Sequence, residues 1–147
     1  MIKKIMIATD GSDTSKKAAM IGIDIAHRAN GSVTAVYVME ILRLAHLPGY
    51  ATIPGLKEKV LELIQEEGSQ ATQFVEDHAQ IMNVSCHKIV ARGNPSEELL
   101  KISQSQEIDL LIMGSLGRTG MEKILLGSVA EKVVLQSTIP VLLVKGD

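Results

Sequence analysis

Apolar positions change period from segment to segment along the chain, and each period marks a kind of element. Ile5-Met6-Ile7-Ala8 is apolar without a break, as a strand covered on both faces in a parallel sheet requires. Thr9-Asp10-Gly11-Ser12-Asp13 interrupts it. Ser12 or Asp13 can cap a helix whose small and apolar positions Ala18, Gly22, Ile25, Ala26 and Ala29 share one stripe, and Asn30-Gly31 supplies a left-handed stop. The run 33–38 is a second strand, completing a β-α-β unit whose crossover is expected to be right-handed.

Residues 39–56 hold Pro48, Gly49, Pro54 and Gly55 and show no period, so a long loop is expected there, of the functional or mobile kind. From Lys57, the positions Val60, Ile64, Ala71, Val75, Ala79 and Met82 repeat at three, four and seven, predicting a long amphipathic helix that stops near Asn83. Residues 84–91 alternate imperfectly around His87 and Lys88, as an edge strand with one wet face does. Asn94 as cap, Pro95 in the first position and Glu97 and Glu98 in the first turn start a further helix. A buried strand over 108–113, a glycine-bearing segment, a helix from about Ser128 and a final strand over 141–144 complete the chain. Five strands alternating with four helices predict a single α/β domain over 1–147, an open twisted parallel sheet with helices on both faces. No repeat or internal boundary interrupts it.

Composition narrows the function classes. The 147 residues, 46% of them apolar, suffice for one core. A formal charge of −2 gives no field that would draw the chain onto a polyanion. Two Tyr, one Phe and no Trp leave few platforms on which nucleic-acid bases could stack, so a bound base is expected to lie against aliphatic groups. Nucleic acid and membrane are therefore not expected as partners. Cys86 is the single cysteine, read as a small buried residue in a reducing compartment. The apolar runs are far short of a signal-peptide core or a bilayer span, so a cytoplasmic location is expected and the acceptor patterns at Asn30 and Asn83 carry no glycan.

The segment 113–131 departs from what a connection needs. Gly114 and Gly117 follow a strand, where glycine lets backbone amides approach a ligand, and Gly127-Ser128 opens a helix with Ser128 and Glu131 in a capping-box pattern. The first amides of such a helix are unpaired donors at its positive end, which suits a phosphate. Plain local geometry explains the same residues, and both readings stay open on spacing alone. Neither the P-loop pattern with its lysine nor the dinucleotide G-x-G-x-x-G after the first strand is present. Arg118 is the cation nearest the glycine pair, either a ligand contact or a solvated loop residue.

The pattern G-x-x-G-x9-G-S, met as Gly114, Gly117, Gly127 and Ser128, resembles the nucleotide signature of the universal stress protein family in its ATP-binding branch. The Ala-Thr-Asp-Gly-Ser end of the first strand, Val36-Tyr37-Val38, Gly93-Asn94-Pro95 and the tail from Pro140 resemble family segments in the same order. The resemblance implies strand order 3-2-1-4-5 with ATP at the carboxyl ends of strands one and four, the switch point where open α/β sheets hold ligands. It implies that Ala8, Thr9 and Asp10 form the first nucleotide-contacting turn, that Val38 and backbone near Met113 meet adenine, and that Gly114, Gly117, Gly127, Ser128 and Val129 cradle ribose and phosphate, with Arg118 the candidate cation beside them. Asp10 then meets the ribose or a water on Mg²⁺ or Mn²⁺, or simply closes its own turn through an aspartate bond. The same resemblance implies a homodimer through the last strand.

With no P-loop lysine, no base within the motif and no arginine finger beyond Arg118, little or no hydrolysis is expected; a slow or partner-dependent ATPase is the most this inventory allows. Two rivals remain: a dimeric interaction module that binds no nucleotide, and a flavodoxin-like redox or phosphoacceptor domain, which Asp10 and Asp13 suggest but no lysine-bearing strand end supports. His27, His46, His78 and His87 lack metal-ligand spacing. Met20, Met82 and Met113 are expected to fill the core, and Glu58, Lys59, Glu62, Glu66 and Glu67 to form a solvated helix face.

Overall fold

The computed structural model describes residues 1–115 and 126–146. In chain order they form β1 (Lys4–Ala8), α1 (Asp13–Arg28), β2 (Ser32–Met39), α2 (Ile41–Leu44), α3 (Leu56–Ile81), β3 (Ser85–Arg92), α4 (Pro95–Ser105), β4 (Leu110–Gly114), α5 (Ser128–Gln136) and β5 (Val141–Val144). The sheet is parallel throughout in the order β3-β2-β1-β4-β5. On β1, Ile5 and Ile7 enter a core shared with α1 and α3, while Met6 and Ala8 enter a second core shared with α4 and α5. Both faces are therefore covered, which is why this strand is apolar at consecutive positions. At its amino end, the Lys3 and Lys4 N–H groups donate to the Asp109 carboxylate at 2.9 and 2.8 Å and hold that carboxyl below its ordinary range.

Ser12 caps α1, its hydroxyl accepting from Ser15 N–H at 3.2 Å, and Asn30 makes the left-handed stop at φ 53°. The stripe sits slightly off the expected one: Ala19 and Ile23 are buried with Ala18, Gly22 and Ala26, while Ile25 and Ala29 are half-buried. That rotation turns Met20 outward, so Met20 does not fill the core, whereas Met82 packs on its edge and Met113 is buried. Asn94 caps α4 through Glu97 N–H with Pro95 in the first position, as expected.

The expected loop over 39–56 contains a single helical turn, α2. The more consequential feature is α3. At 26 residues it is about 39 Å long, against about 26 Å for the eight-residue β2 beneath it. Its burial begins at Gly68, so Val60 and Ile64 are only half-buried and the first turns overhang the carboxyl end of the sheet. No helix among the described residues is long and apolar enough to cross a membrane.

Candidate functional site

Strands β2 and β3 lie on one side of β1 and strands β4 and β5 on the other, so the connections leaving β1 and β4 part and open a crevice above their carboxyl ends. On the β1 side the turn is braced by side chains. Thr9 N–H donates to the Val36 carbonyl at 2.9 Å, Thr9 Oγ1 lies 3.1 Å from Ser15 Oγ, and Ser12 N–H donates to Asp10 Oδ1 at 2.9 Å. Gly11, at φ 82°, takes the left-handed position between them and donates its N–H to Thr9 Oγ1 at 3.2 Å. Asp10 thus makes the aspartate turn and lines the crevice as well.

On the β4 side, Ser115 N–H donates to the Val144 carbonyl at 2.9 Å, and Gly127 N–H donates to the Ser115 carbonyl at 2.6 Å. Those two bonds fix where α5 begins. Gly127 is the cap residue, in extended conformation with no side chain capping the helix, and Ser128 is the first helical residue. The capping box expected of Ser128 and Glu131 is therefore not formed: a residue at the first helical position cannot cap its own helix. The Glu131 amide makes its intrahelical bond to Gly127 O at 2.9 Å, so the amides of Ser128, Val129 and Ala130 precede it and point out of the helix mouth. Three donors and the positive end of the α5 dipole face the crevice.

The crevice is a cavity of about 560 Å³, within the range of small-molecule sites. Ala8, Thr9, Asp10, Val38, Met113, Gly114, Gly127, Ser128 and Val129 all line it. Gly117 and Arg118 lie outside the described residues. Two stretches about a hundred positions apart in sequence thus share one chamber.

Sequence reasoning missed the opposite wall. Tyr37, Ile64 and Glu67 line the cavity from the α3 side, and Glu40, Arg43 and Leu44 from α2. Tyr37 is buried, and its hydroxyl donates to Glu67 Oε2 at 2.7 Å. Gly68 allows the ring to lie on the helix, since a Cβ there would stand 2.7 Å from Tyr37 Cδ1. Glu67 is therefore half-buried and hydrogen-bonded, not part of a solvated face. Its phase gives the signal, one residue before a mid-helix glycine and three after Ile64. Among the described lining residues, Asp10, Glu40 and Glu67 are acidic and Arg43 is the one cation, 3.6 Å from Glu40.

The other chemical candidates lie elsewhere. His27, His46 and His87 are exposed, and His78 packs on Phe74 with ring centroids 4.2 Å apart. No group of three His, Cys, Asp or Glu capable of holding a metal occurs among the described residues. Cys86 is half-buried on β3, and burial pushes its thiol up to about 11.

The fold recurs in known proteins. The chain is 40% identical over 145 residues to the universal stress protein MJ0531 of Methanocaldococcus jannaschii, covering 99% of this chain and 83% of that one. The solved structure of MJ0577, from the same organism, superposes with a TM-score of 0.83 at 27% identity, covering 100% of this chain and 98% of the other. A universal stress protein in complex with cAMP shares the fold, with a TM-score of 0.72 at 22% identity over 99% of this chain and 98% of its own. The model of the universal stress protein family matches residues 1–145, and with its fold reproduced around this crevice, the chain belongs to that family.

Proposed function

We propose that the chain is a cytoplasmic ATP-binding universal stress protein, in which nucleotide held at the carboxyl ends of β1 and β4 is a regulatory ligand more than a fuel. The observation that carries this reading is the mouth of α5: the amides of Ser128, Val129 and Ala130 open into the same cavity as Ala8, Thr9, Asp10 and Val38. Universal stress proteins crystallised with cAMP, with dAMP and with AMP adopt this fold and support an adenine ligand.

In this reading the phosphates meet the α5 amides and the Ser128 hydroxyl, with Gly114, Gly117 and Arg118 on the same cradle, and adenine rests on Val38 and backbone near Met113. The cavity's carboxylates outnumber its described cation, so a triphosphate gains from a divalent ion, Mg²⁺ or Mn²⁺, reached by Asp10 through water. Mass spectrometry of ligand released by heating freshly purified protein, joined to calorimetry with Mg-ATP, tests it. Adenine nucleotide in the supernatant and saturable binding are expected. An empty supernatant with no binding heat overturns the reading in favour of an interaction module without nucleotide. Hydrolysis near one turnover per second, inside the ordinary enzyme range, would overturn the regulatory role.

Dimerisation through β5 belongs to the same proposal. This strand is an edge of the sheet, and Leu142 on it and Val134 and Leu135 on the neighbouring α5 are exposed apolar side chains. Sedimentation should give a dimer that Leu142→Lys converts to monomer; a wild-type monomer at all concentrations would remove this part.

A further inference from the structure

A purine has two flat faces, and the cavity offers the one that does not rest on Val38 no aromatic partner. Tyr37 is the aromatic residue lining the chamber, but adjacent strand residues point to opposite faces. Its ring packs toward α3 with the hydroxyl on Glu67, while Val38 packs toward α4 and α5. Among the described lining residues, the planar group left at the rim is the guanidinium of Arg43. The single turn of α2 brings it to the cavity directly after β2, the strand that carries Val38. Its side chain is 74% exposed, and its partner Glu40 stands 3.6 Å away on the same rim. A pair so exposed adds little to folding, so Arg43 is available to a ligand and Glu40 to orient it.

We propose that Arg43 is the stacking platform for the base: its plane covers the purine face opposite Val38, in place of the aromatic ring that this chain lacks there. Guanidinium planes stack on nucleobases while their edges stay hydrated. The inference rests on the adenine-nucleotide reading and adds a residue to it. Arg43 in this role touches base, not phosphate.

Calorimetry on the full chain with adenosine, AMP, Mg-ATP and ribose 5-phosphate tests it, using Arg43→Lys, which keeps the charge and removes the plane, and Arg43→Phe, which does the reverse. Arg43→Lys should weaken adenosine, AMP and Mg-ATP by one common factor of about three- to thirty-fold. It should leave ribose 5-phosphate unchanged, and Arg43→Phe should restore adenosine binding. A loss that grows with the number of phosphates, or adenosine binding equal in Arg43→Lys and wild type, overturns the platform while the nucleotide reading stands. Absence of binding by wild type to every adenine ligand overturns both. Unchanged melting temperatures, expected for so exposed a side chain, keep the comparison free of folding effects.

Discussion

Gly127→Val separates the proposed phosphate grip from the fold. Gly127 has φ −69° and ψ 157°, a backbone conformation that valine adopts without strain, and its N–H can keep the bond to Ser115 O. Valine is a poorer helix cap than glycine by roughly 0.5–1 kcal/mol. Losing a glycine restricts the unfolded chain and returns about 0.4–1 kcal/mol. The melting temperature should therefore move by no more than about 4 °C for a domain of 147 residues. Ligand binding should respond far more. Gly127 lines the cavity directly before the amides of Ser128, Val129 and Ala130, so an isopropyl group there is expected to crowd phosphate oxygens away from them, and each bond to a charged acceptor is worth about 1.5–3 kcal/mol. Loss of two such bonds removes about 3–6 kcal/mol, a fall in affinity of about 10² to 10⁴. Titration calorimetry with Mg-ATP reads this directly. Scanning calorimetry gives an independent check: at ligand 100 times its dissociation constant, the wild type gains about 2.7 kcal/mol, or about 5–11 °C, and the variant gains nothing. A folded variant that binds Mg-ATP within about threefold of wild type refutes the assignment of the α5 mouth as the grip.

Tyr37→Phe removes the hydroxyl that donates to Glu67, and urea unfolding should register a loss of about 0.5–1.5 kcal/mol; equal or greater stability would mean that the pair does not brace the cavity wall. Gly31→Ala places a Cβ inside the Lys3 carbonyl, which also accepts Ser32 N–H at 2.9 Å, and backbone on both sides cannot step away. Thermal and urea melts should show more than about 2 kcal/mol lost, and a neutral result would refute that close approach. Burial raises the Cys86 thiol to about 11, so alkylation by iodoacetamide at pH 8 should be slow and climb about tenfold per pH unit toward that value. Because the folded pKa lies above the unfolded one, the folded state holds the proton more tightly. Stability from this group is complete below about pH 9 and declines as pH rises toward 11; alkylation at pH 8 as fast as that of a free thiol would contradict both statements.

What the sequence made legible divides along a physical line. β1 and β4 are readable because each lies between two helical layers, which imposes apolar side chains at consecutive positions, and α4 because Asn94-Pro95 and its acidic first turn act within four residues. The donors of the candidate site are readable for the same local reason: Gly114, Gly127 and Ser128 stand where a strand stops and a helix starts. Even there, the Ser-x-x-Glu pattern misleads, because the start of α5 is set by the Gly127 to Ser115 bond, which joins residues twelve positions apart and has no local signature. The far wall escapes for a different reason. Glu67 carries the same charge as Glu66 and Glu62, and periodicity says which way it faces but not what stands opposite. That depends on α3 outrunning β2 by about 13 Å, a difference between two lengths summed over separate segments. The long helix brings Ile64 and Glu67 against the carboxyl end of β2, and the single turn of α2, too short to show any period, sets Arg43 on the same cavity. Main-chain chemistry at a strand end is thus written locally, whereas the side chains that would choose among ligands are set by how far elements extend past one another.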